Sequence, residues 1–389
     1  MATSDPKALL RRLLQEPHEG TWLEFKHNNC DPSLIGCTIS ACANAAMLAD
    51  RDRAFIVWGI ENNTRKRLGT TVRLNGLRKG NEILLNWLTR KIDPRLMLEP
   101  LDFLDDDKQF SILTIEPTYD RPVKFEKVEY IRVGEHVKSL NDFPEHERAL
   151  WLATGRRKFE DAVAAQHQSP EDVLEKLNYE TYYRLKGEES PKNSTEIMRR
   201  FASIGCVRDD MEGGFDILNL GALLFAKNIE DFPSIATKSV RVVKYSGKDK
   251  SKSEEEIEGK KGYAVGFRNM LKYVMDRLPK EENFEGGVRK AASKYSETAI
   301  REIVANALIH QDFTISGAGP IIEIYSDRVE ITNPGSSLIR VDRIIDERQS
   351  RNQKFAAAMR EIGLCEERGS YRRILVTDGV RRQRFERAI

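Results

Sequence analysis

Long apolar runs are missing from this sequence of 389 residues. Its longest apolar stretches, such as residues 220–226, are far shorter than the run of about 18 residues that a membrane-spanning helix needs. The first residues, Met-Ala-Thr-Ser-Asp-Pro, also lack the charged and then apolar pattern of a secretory signal. We therefore expect no membrane span and a cytoplasmic protein.

Cysteine is scarce. The chain has five, an odd number, and none of them forms a Cys-x-x-Cys pair. This excludes a disulfide framework and the usual spacing of a zinc site, so reduced thiols are expected. The cysteines are Cys30, Cys37, Cys42, Cys206 and Cys365.

The phosphate-binding motif Gly-x4-Gly-Lys-Ser/Thr is absent as well, which excludes a helicase motor of the P-loop type. The composition, 40% hydrophobic and 32% charged residues, is ordinary for globular protein. At roughly 150 residues per domain, the length predicts two to three domains.

Positive charge is concentrated in one stretch. The net charge of the chain is only +2, but residues 51–95 hold eleven Lys or Arg and four acidic residues. Such density favours contact with nucleic-acid phosphates, although a solvated face is an equally open explanation. The candidate nucleic-acid-binding residues are Arg65, Lys66, Arg67, Arg73, Arg78 and Lys79, together with Arg132 farther along the chain.

Hydrophobic periodicity predicts an α+β fold in several parts. Residues 1–16 contain a leader helix, and residues 17–145 form one α+β domain with a buried helix at 33–49 and an apolar strand at 54–60. The triplet at 105–107 is typical of a hairpin turn. Residues 99–120 around it are acidic.

Residues 146–290 are predicted to be a helical connector and a middle α+β domain. Within it, residues 193–217 suit a helix followed by a hairpin, which is either winged-helix-like or an ordinary α+β pair. Residues 246–262 are of low complexity and are expected to be a mobile loop. Residues 291–389 form the last domain, with a strongly amphipathic helix at 296–309 and a basic tail.

Acidic residues near the first strand suggest phosphodiester chemistry. Glu24 and Lys26 should share one strand face, while Glu19 precedes a glycine and Glu61 follows the next apolar strand. Three carboxylates can hold Mg²⁺ or Mn²⁺, and a lysine can stabilise charge on phosphoryl oxygens. The alternative is an exposed Glu24–Lys26 pair of little energetic value.

Four motifs occur in this order: Glu-x4-Glu-Phe-Lys, Ala-Cys-Ala-Asn at 41–44, Gly-Ile-Glu-Asn at 59–62 and Tyr-Ile-Arg-Val-Gly at 130–134. Together they resemble the AlbA-like domain of the Schlafen family, over about residues 17–140. The resemblance implies that Glu19, Glu24 and Glu61 bind metal and that the domain cleaves structured RNA or binds nucleic acid. The family's third acid is typically Asp, and Asn62 stands beside Glu61 here. Residues 47–53 replace the family's usual Gly-Gly pair.

In the helix at 296–309, Glu302 and Asn306 are four residues apart and therefore share a face. A carboxylate and an amide so placed can polarise a water and coordinate Mg²⁺, or they can be the polar margin of an ordinary helix.

This helix, with Asn333-Pro334-Gly335 and the segment 362–370, resembles a GHKL-type ATP-binding domain of the RecG-related kind, over about residues 290–371. The resemblance implies an α/β sandwich and ATP contacts at Glu302, Asn306, Asn333, Gly335 and Gly369. Asn333 replaces the family's adenine-reading Asp, and the glycine-rich lid is reduced to residues 369–371. We therefore expect weak ATP binding or none.

Three functions stay open from the sequence. The first is a metal-dependent endoribonuclease acting on structured RNA such as tRNA, in the setting of bacterial antiviral defence. The second is a nucleic-acid-binding regulator without catalysis, and the third is a GHKL-type ATPase. A homodimer is expected because two lobes surround the substrate in Schlafen nucleases.

Overall fold

The computed structural model describes residues 5–16, 20–62, 64–134, 136–155, 158–285, 288–293, 295–336 and 350–365, with the backbone alone at 280–293. The chain divides into two compact units. The N-terminal unit comprises residues 3–157 with 211–213, and the C-terminal unit comprises 158–210 and 214–389.

The N-terminal unit is of the α+β class. Its elements, in chain order, are α1 (Pro6–Gln15), β1 (Leu23–Lys26), α2 (Pro32–Leu48), β2 (Ala54–Trp58), β3 (Arg78–Lys79), β4 (Glu82–Ile83), α3 (Leu84–Lys91), β5 (Ile92–Asp93), β6 (Met97–Asp105), β7 (Lys108–Glu116), β8 (Lys124–Phe125), β9 (Val128–Val133), β10 (His136–Ser139) and α4 (Pro144–Ala153).

Two four-stranded sheets build this unit. One has the order β1-β2-β7-β6 and the other the order β10-β9-β8-β5. In the first sheet β1 runs parallel to β2, and β7 is antiparallel to β2 and to β6. The predicted turn between β6 and β7 is confirmed. Asp106 and Asp107 form it with positive φ angles of 47° and 58°, a conformation that aspartate tolerates in two-residue hairpin loops.

Helix α2 is buried along most of its length, as its Ala, Ile and Cys content predicts. It begins at Asp31, whose carboxylate accepts a hydrogen bond from the Leu34 amide at 2.8 Å. Gly36 lets α2 approach β8, because a Cβ at this position would lie 2.2 Å from the Phe125 ring. The apolar helix therefore forms the centre of the unit's core.

Two polar side chains of α2 bind backbone groups of the second sheet. Asn44 is fully buried, and its Nδ2 donates to the carbonyls of Val123 at 2.9 Å and Tyr130 at 2.8 Å. Its Oδ1 accepts from the Val123 amide at 2.7 Å. Ser40 donates to the Val123 carbonyl and accepts from the Tyr130 amide. These bonds satisfy buried backbone groups that no strand partner reaches.

Asp102 of β6 anchors the turn Leu74–Gly76, which directly follows Arg73. Its carboxylate accepts from the amides of Leu74 and Asn75, each at 3.0 Å, from Asn75 Nδ2 at 2.9 Å and from Ser111 Oγ at 2.6 Å. Burial alone would raise the pKa of Asp102, but these hydrogen bonds outweigh it and hold the pKa below its ordinary value.

The C-terminal unit mixes helices with short strands. Its elements are β11 (Val163–Gln168), α5 (Pro170–Lys176), α6 (Tyr179–Lys186), α7 (Ser194–Ser203), β12 (Val207–Asp209), β13 (Phe215–Leu218), α8 (Asn219–Phe225), β14 (Arg241–Tyr245), β15 (Ser253–Glu258), α9 (Tyr263–Arg277), β16 (Lys280–Glu285), β17 (Val288–Ser293), α10 (Glu297–His310), β18 (Ile321–Ile324), β19 (Val329–Thr332) and α11 (Gln353–Glu361).

The predicted helix and hairpin within 193–217 are confirmed as α7, β12 and β13. The three-stranded sheet has the order β11-β13-β12, and α5, α6 and α7 lie between β11 and β12 in the chain. A second sheet has the order β15-β14-β18-β19. Strand β15 corrects the expected mobile loop at 246–262, because its backbone pairs along β14 despite the charged sequence.

The two compact units do not coincide with the predicted domain boundaries at 145 and 290, which stay predictions. Helix α4 belongs to the N-terminal unit, where Leu150 and Ala153 pack against Met47, Ile131 and Leu140. In the C-terminal unit, one continuous core extends from Val173 to Cys365 and so includes both the middle region and the last domain. The leader helix α1 likewise packs into the N-terminal core through Leu9, Leu10 and Leu13.

Within the parts of the chain that the structure describes, no helix combines the length and the apolar character needed to cross a membrane.

Substitution of Asn44 tests the link between α2 and the second sheet. We expect Asn44→Ala to lower the free energy of unfolding by about 2 kcal/mol, because the buried Val123 amide loses its Asn44 acceptor and the Val123 carbonyl keeps only Ser40 as a side-chain donor. Urea denaturation measures this change. Asn86→Ala, at an exposed position of α3, is the matched control and should change stability little. Equal stability losses in the two variants would contradict this role of Asn44.

Protonation of Asp102 should weaken the anchored turn. Because the folded-state pKa is lowered, the carboxylate contributes stability above its unfolded pKa of about 4, and this contribution is lost as pH falls through the folded value. The stability difference between the parent and Asp102→Asn should therefore shrink between pH 6 and pH 2.5. Denaturation curves at both pH values measure it. A difference independent of pH would show that the charge of Asp102 is unimportant.

Candidate nucleic-acid interface and carboxylate cluster

Glu24 and Lys26 lie on the same face of β1, as strand alternation predicts. The Lys26 Nζ is 2.9 Å from Glu24 Oε1, and both side chains are mostly buried, at 14% and 11% exposure. Leu23 and Phe25 point into the core. The alternative of an exposed surface pair is therefore wrong, because a surface pair would have most of its side-chain area in solvent.

Arg132 of β9 is not at the surface, which corrects its prediction as a phosphate contact. Its side chain is 1% exposed, and its Nη1 lies 2.7 Å from Glu24 Oε2. The same nitrogen donates to the Leu23 carbonyl at 2.6 Å. A guanidinium buried in this way cannot reach a polyanion, and it neutralises Glu24 instead.

Glu61 lies in the loop that follows β2. Its carboxylate accepts a hydrogen bond from the Thr64 hydroxyl, and its backbone pairs with Lys66 and Arg65. The neighbouring residue, Asn62, is exposed. Glu19, the third predicted carboxylate, lies outside the described residues.

The predicted metal ion stays a prediction, because Glu19, one of its three expected ligands, lies outside the described residues. Glu24 Oε1 accepts a hydrogen bond from Lys26, and Glu24 Oε2 lies 2.7 Å from Arg132 Nη1 in an ion pair. Across the described ranges, no three His, Cys, Asp or Glu side chains form a group that could hold a metal. Glu24 is thus the acidic member of a buried charge cluster with Lys26 and Arg132, which we call the Glu24 cluster.

Several cations of the basic stretch are already engaged. Arg67 forms ion pairs of 2.6 Å with Asp105 and 2.9 Å with Asp106, at the tip of the β6–β7 hairpin. Asp105, at the end of β6, is only 5% exposed. Arg65 donates to the carbonyls of Leu14 and Glu16 near the end of α1. These arginines hold the fold together.

Five cations between positions 66 and 95 are exposed and have no carboxylate within 4 Å among the described residues. We call this set the free cations. They are Lys66, Arg73, Arg78, Lys79 and Arg95. Arg73 precedes the turn that Asp102 anchors, and Arg78 and Lys79 form one strand of the hairpin β3–β4. The turn of this hairpin at Gly80 faces open space, since nothing lies within 4 Å of a Cβ built there.

Sequence reasoning missed Trp87, the only aromatic residue between positions 64 and 95. Its ring is 7% exposed and lies under the ammonium of Lys79, whose Nζ is 3.4 Å from the ring centroid. This cation–π contact holds Lys79 at the surface. In the sequence, the basic residues of the hairpin are directly followed by an amphipathic helix, and this succession could have indicated the contact between Lys79 and Trp87.

In the C-terminal unit, the predicted ATP contacts lie in and beyond α10. Glu302 is buried and accepts from Arg301 Nη2 at 3.1 Å, and Asn306 is half-buried one turn later. Gly335 adopts φ +107°, and a Cβ there would lie 2.6 Å from Asp312 Cβ. Its conformation is explained by this close approach.

Asn333 lies between the end of β19 and Gly335, where it was expected. Gly369, the rest of the reduced lid and the basic tail lie outside the described residues. The described residues therefore include Glu302, Asn306, Asn333 and Gly335 but not the predicted phosphate lid.

Comparisons with known proteins match both ends of the chain. Residues 19–141 match the family model described as "Schlafen, AlbA_2", and residues 317–377 match the one described as "Putative ATP-dependent DNA helicase recG C-terminal". A comparison with curated proteins finds no significant match. The crystal structure of the DIP2311 protein from Corynebacterium diphtheriae is similar over 94% of this chain and 74% of that chain, with 14% sequence identity and a TM-score of 0.42.

Both matched segments agree with the resemblances found in the sequence, in their positions and in their order. The chain therefore has the architecture of a Schlafen-type AlbA-like domain followed by a recG-related, ATPase-like C-terminal segment.

Proposed function

We propose that this protein binds structured nucleic acid, RNA in preference to DNA, by contacting its phosphates with the N-terminal unit. The observation that carries the proposal is the set of free cations, which have no carboxylate partner among the described residues. Cations already paired within the protein gain little from a phosphate, whereas unpaired ones release the counterions of the nucleic acid on binding. The AlbA-like domain is of a type that suggests nucleic-acid binding.

The proposed contact is with the backbone and is independent of base sequence. Base stacking needs an exposed aromatic ring, and Trp87, the one aromatic between positions 64 and 95, is buried under Lys79. The hairpin β3–β4 instead presents Arg78 and Lys79, which suit phosphates that a folded strand holds at fixed spacing. Preference for RNA rests on the kind of domain alone, and parallel titrations with duplex RNA and duplex DNA test it.

A metal-dependent endoribonuclease is the second candidate. Glu24 and Lys26 support it, because they lie together on β1 within the segment that matches the Schlafen model. Lys26 and Arg132 already compensate the charge of Glu24 through ion pairs. The predicted roles of Glu19 and Glu61, a part in antiviral defence, the homodimer, ATP binding and a cytoplasmic location stay predictions.

Charge reversal tests the binding proposal. We expect Arg73→Glu, Arg78→Glu and Lys79→Glu together to weaken binding of tRNA and of duplex RNA by on the order of 100-fold. The slope of log K against log salt should fall by about 2 to 3, since each lost phosphate contact removes about 0.9. Fluorescence anisotropy between 50 and 300 mM salt measures both values.

The control for this experiment carries the same change in net charge at another place. Lys127→Glu, Lys138→Glu and Arg148→Glu reverse three exposed cations of the same unit outside the basic stretch. Binding by the control variant should remain within a few-fold of the parent. If both triple variants lose affinity equally, net charge rather than the free cations governs binding.

Glu24→Ala tests the second candidate. We expect it to lower the free energy of unfolding by about 3 kcal/mol, because Arg132 is left buried without its carboxylate. Thermal denaturation measures this loss, with Glu99→Gln, an exposed acid of β6, as the control. Stability equal to the parent would contradict the structural role of Glu24.

Cleavage is then assayed with tRNA, single-stranded RNA and DNA in Mg²⁺, Mn²⁺ or EDTA, below the melting temperature of every variant. Cleavage by the parent that EDTA abolishes, and that folded Glu24→Ala lacks, would establish the nuclease. Binding without cleavage in any metal would leave the binding proposal alone.

A further inference from the structure

A groove opens at the edge of the first sheet where β1 and β2 end, beside the Glu24 cluster in the chain. Its volume is about 310 Å³, near the lower end of the range for small-molecule sites. It is lined by His27 and Asn28 after β1, by the loop at 68–71 after β2, and by Lys108 and Gln109 at the start of β7. Because β1 and β2 are parallel and β7 is antiparallel to them, these segments meet at one edge.

The lining of the groove favours an anion. None of its residues is acidic, while Lys108 contributes an ammonium and His27 an imidazole. Lys108 Nζ donates one hydrogen bond to the Arg67 carbonyl at 2.9 Å, which holds the ammonium beside the groove with its other protons unused by that bond. A phosphate oxygen is a suitable acceptor for them.

The polar wall of the groove is fixed in advance. Asn28 Oδ1 accepts from Thr70 Oγ1 at 2.8 Å and from the Thr71 amide at 3.0 Å. This orients the Asn28 amide so that its Nδ2 lies on the side of His27, 3.3 Å from the ring Nε2. Gly69 lies on the opposite side of the groove and adopts φ +85°. A Cβ at this position would lie 3.2 Å from Lys108 Cβ, so the absence of a side chain leaves this side of the groove open.

One apolar side chain completes the groove. Leu68 is 36% exposed and forms part of the lining. The cationic rim suits a phosphate, the fixed amide and hydroxyl groups suit a ribose, and the apolar surface suits a base. We propose that this groove binds a single phosphorylated nucleotide unit, either a free nucleoside monophosphate or the phosphorylated end of a strand.

The proposed groove is distinct from the free cations of the binding surface. It uses Lys108, which is outside the basic stretch, and it predicts affinity for a mononucleotide, which phosphate contacts along a strand do not. An absence of mononucleotide binding would therefore contradict the proposed groove without contradicting the proposed binding of nucleic acid.

Isothermal titration calorimetry with the full chain tests the groove, and adenosine 5′-monophosphate, adenosine and inorganic phosphate are the probes. We expect the monophosphate to bind and adenosine to bind more weakly. Lys108→Gln should weaken monophosphate binding by about tenfold, the usual effect of losing a charge-assisted contact, and His27→Ala should weaken it a few-fold, because a ring hydrogen bond is lost. Lys138→Gln, at an exposed lysine of β10, is the matched control and should bind like the parent.

The two sources of the nucleotide are separated with adenosine trinucleotides. Tighter binding of a 5′-phosphorylated trinucleotide than of the monophosphate would identify a strand end, and equal affinity would identify a free nucleotide. Among the described residues, the His27 side chain has a hydrogen bond with Asn28 alone. His27→Ala should therefore fold even if Lys108→Gln loses stability together with its bond to the Arg67 carbonyl.

No monophosphate binding at millimolar concentration, or parental affinity in both variants, would overturn the proposal. If tRNA binding persists in that case, only the groove has failed. If tRNA binding is also absent in the parent, the proposed function has failed.

Discussion

The contact between Arg132 and Glu24 is the constraint on which the N-terminal unit depends. Removing a guanidinium and a carboxylate from water costs several kcal/mol per ion, and the cost is offset only when each charge is matched at short distance. Arg132 meets Glu24 Oε2 at 2.7 Å and the Leu23 carbonyl at 2.6 Å, while Lys26 occupies the other oxygen. One buried cation thereby joins β1 of the first sheet to β9 of the second.

The need to match each buried charge also divides the cations of the basic stretch into two groups. Some form ion pairs or hydrogen bonds that hold the fold together, and the others stay accessible to a ligand. Arg67 is matched by Asp105 and Asp106, and Arg65 by backbone carbonyls. The free cations are positioned without being neutralised: Asp102 anchors the turn next to Arg73, and Trp87 supports Lys79 through its π face. A ring does not cancel the charge of the ammonium above it. The surface can therefore hold its shape and still attract phosphates.

Local pattern was sufficient for much of this architecture. Alternation along β1 correctly placed Glu24 beside Lys26, the Asp triplet correctly indicated the β6–β7 turn, and the Ala-rich helix proved buried. Pattern failed at β15, where charged residues pair along β14, and at α4, whose apolar residues gave no sign of which unit they pack against. Strand pairing and core membership depend on partners that are distant in sequence.

By itself the sequence determined the α+β class, the order of the two segments that match known families, the position of the basic stretch and the types of residue available for chemistry, because these follow from motifs, composition, spacing and periodicity. Tertiary structure alone decided which charges are accessible. Arg132 and Lys79 are both basic residues within strands, but Arg132 is buried against a carboxylate and Lys79 is exposed over a ring. Whether a charge can reach a ligand depends on burial and on its nearest counter-charge, and those partners come together only when the chain folds.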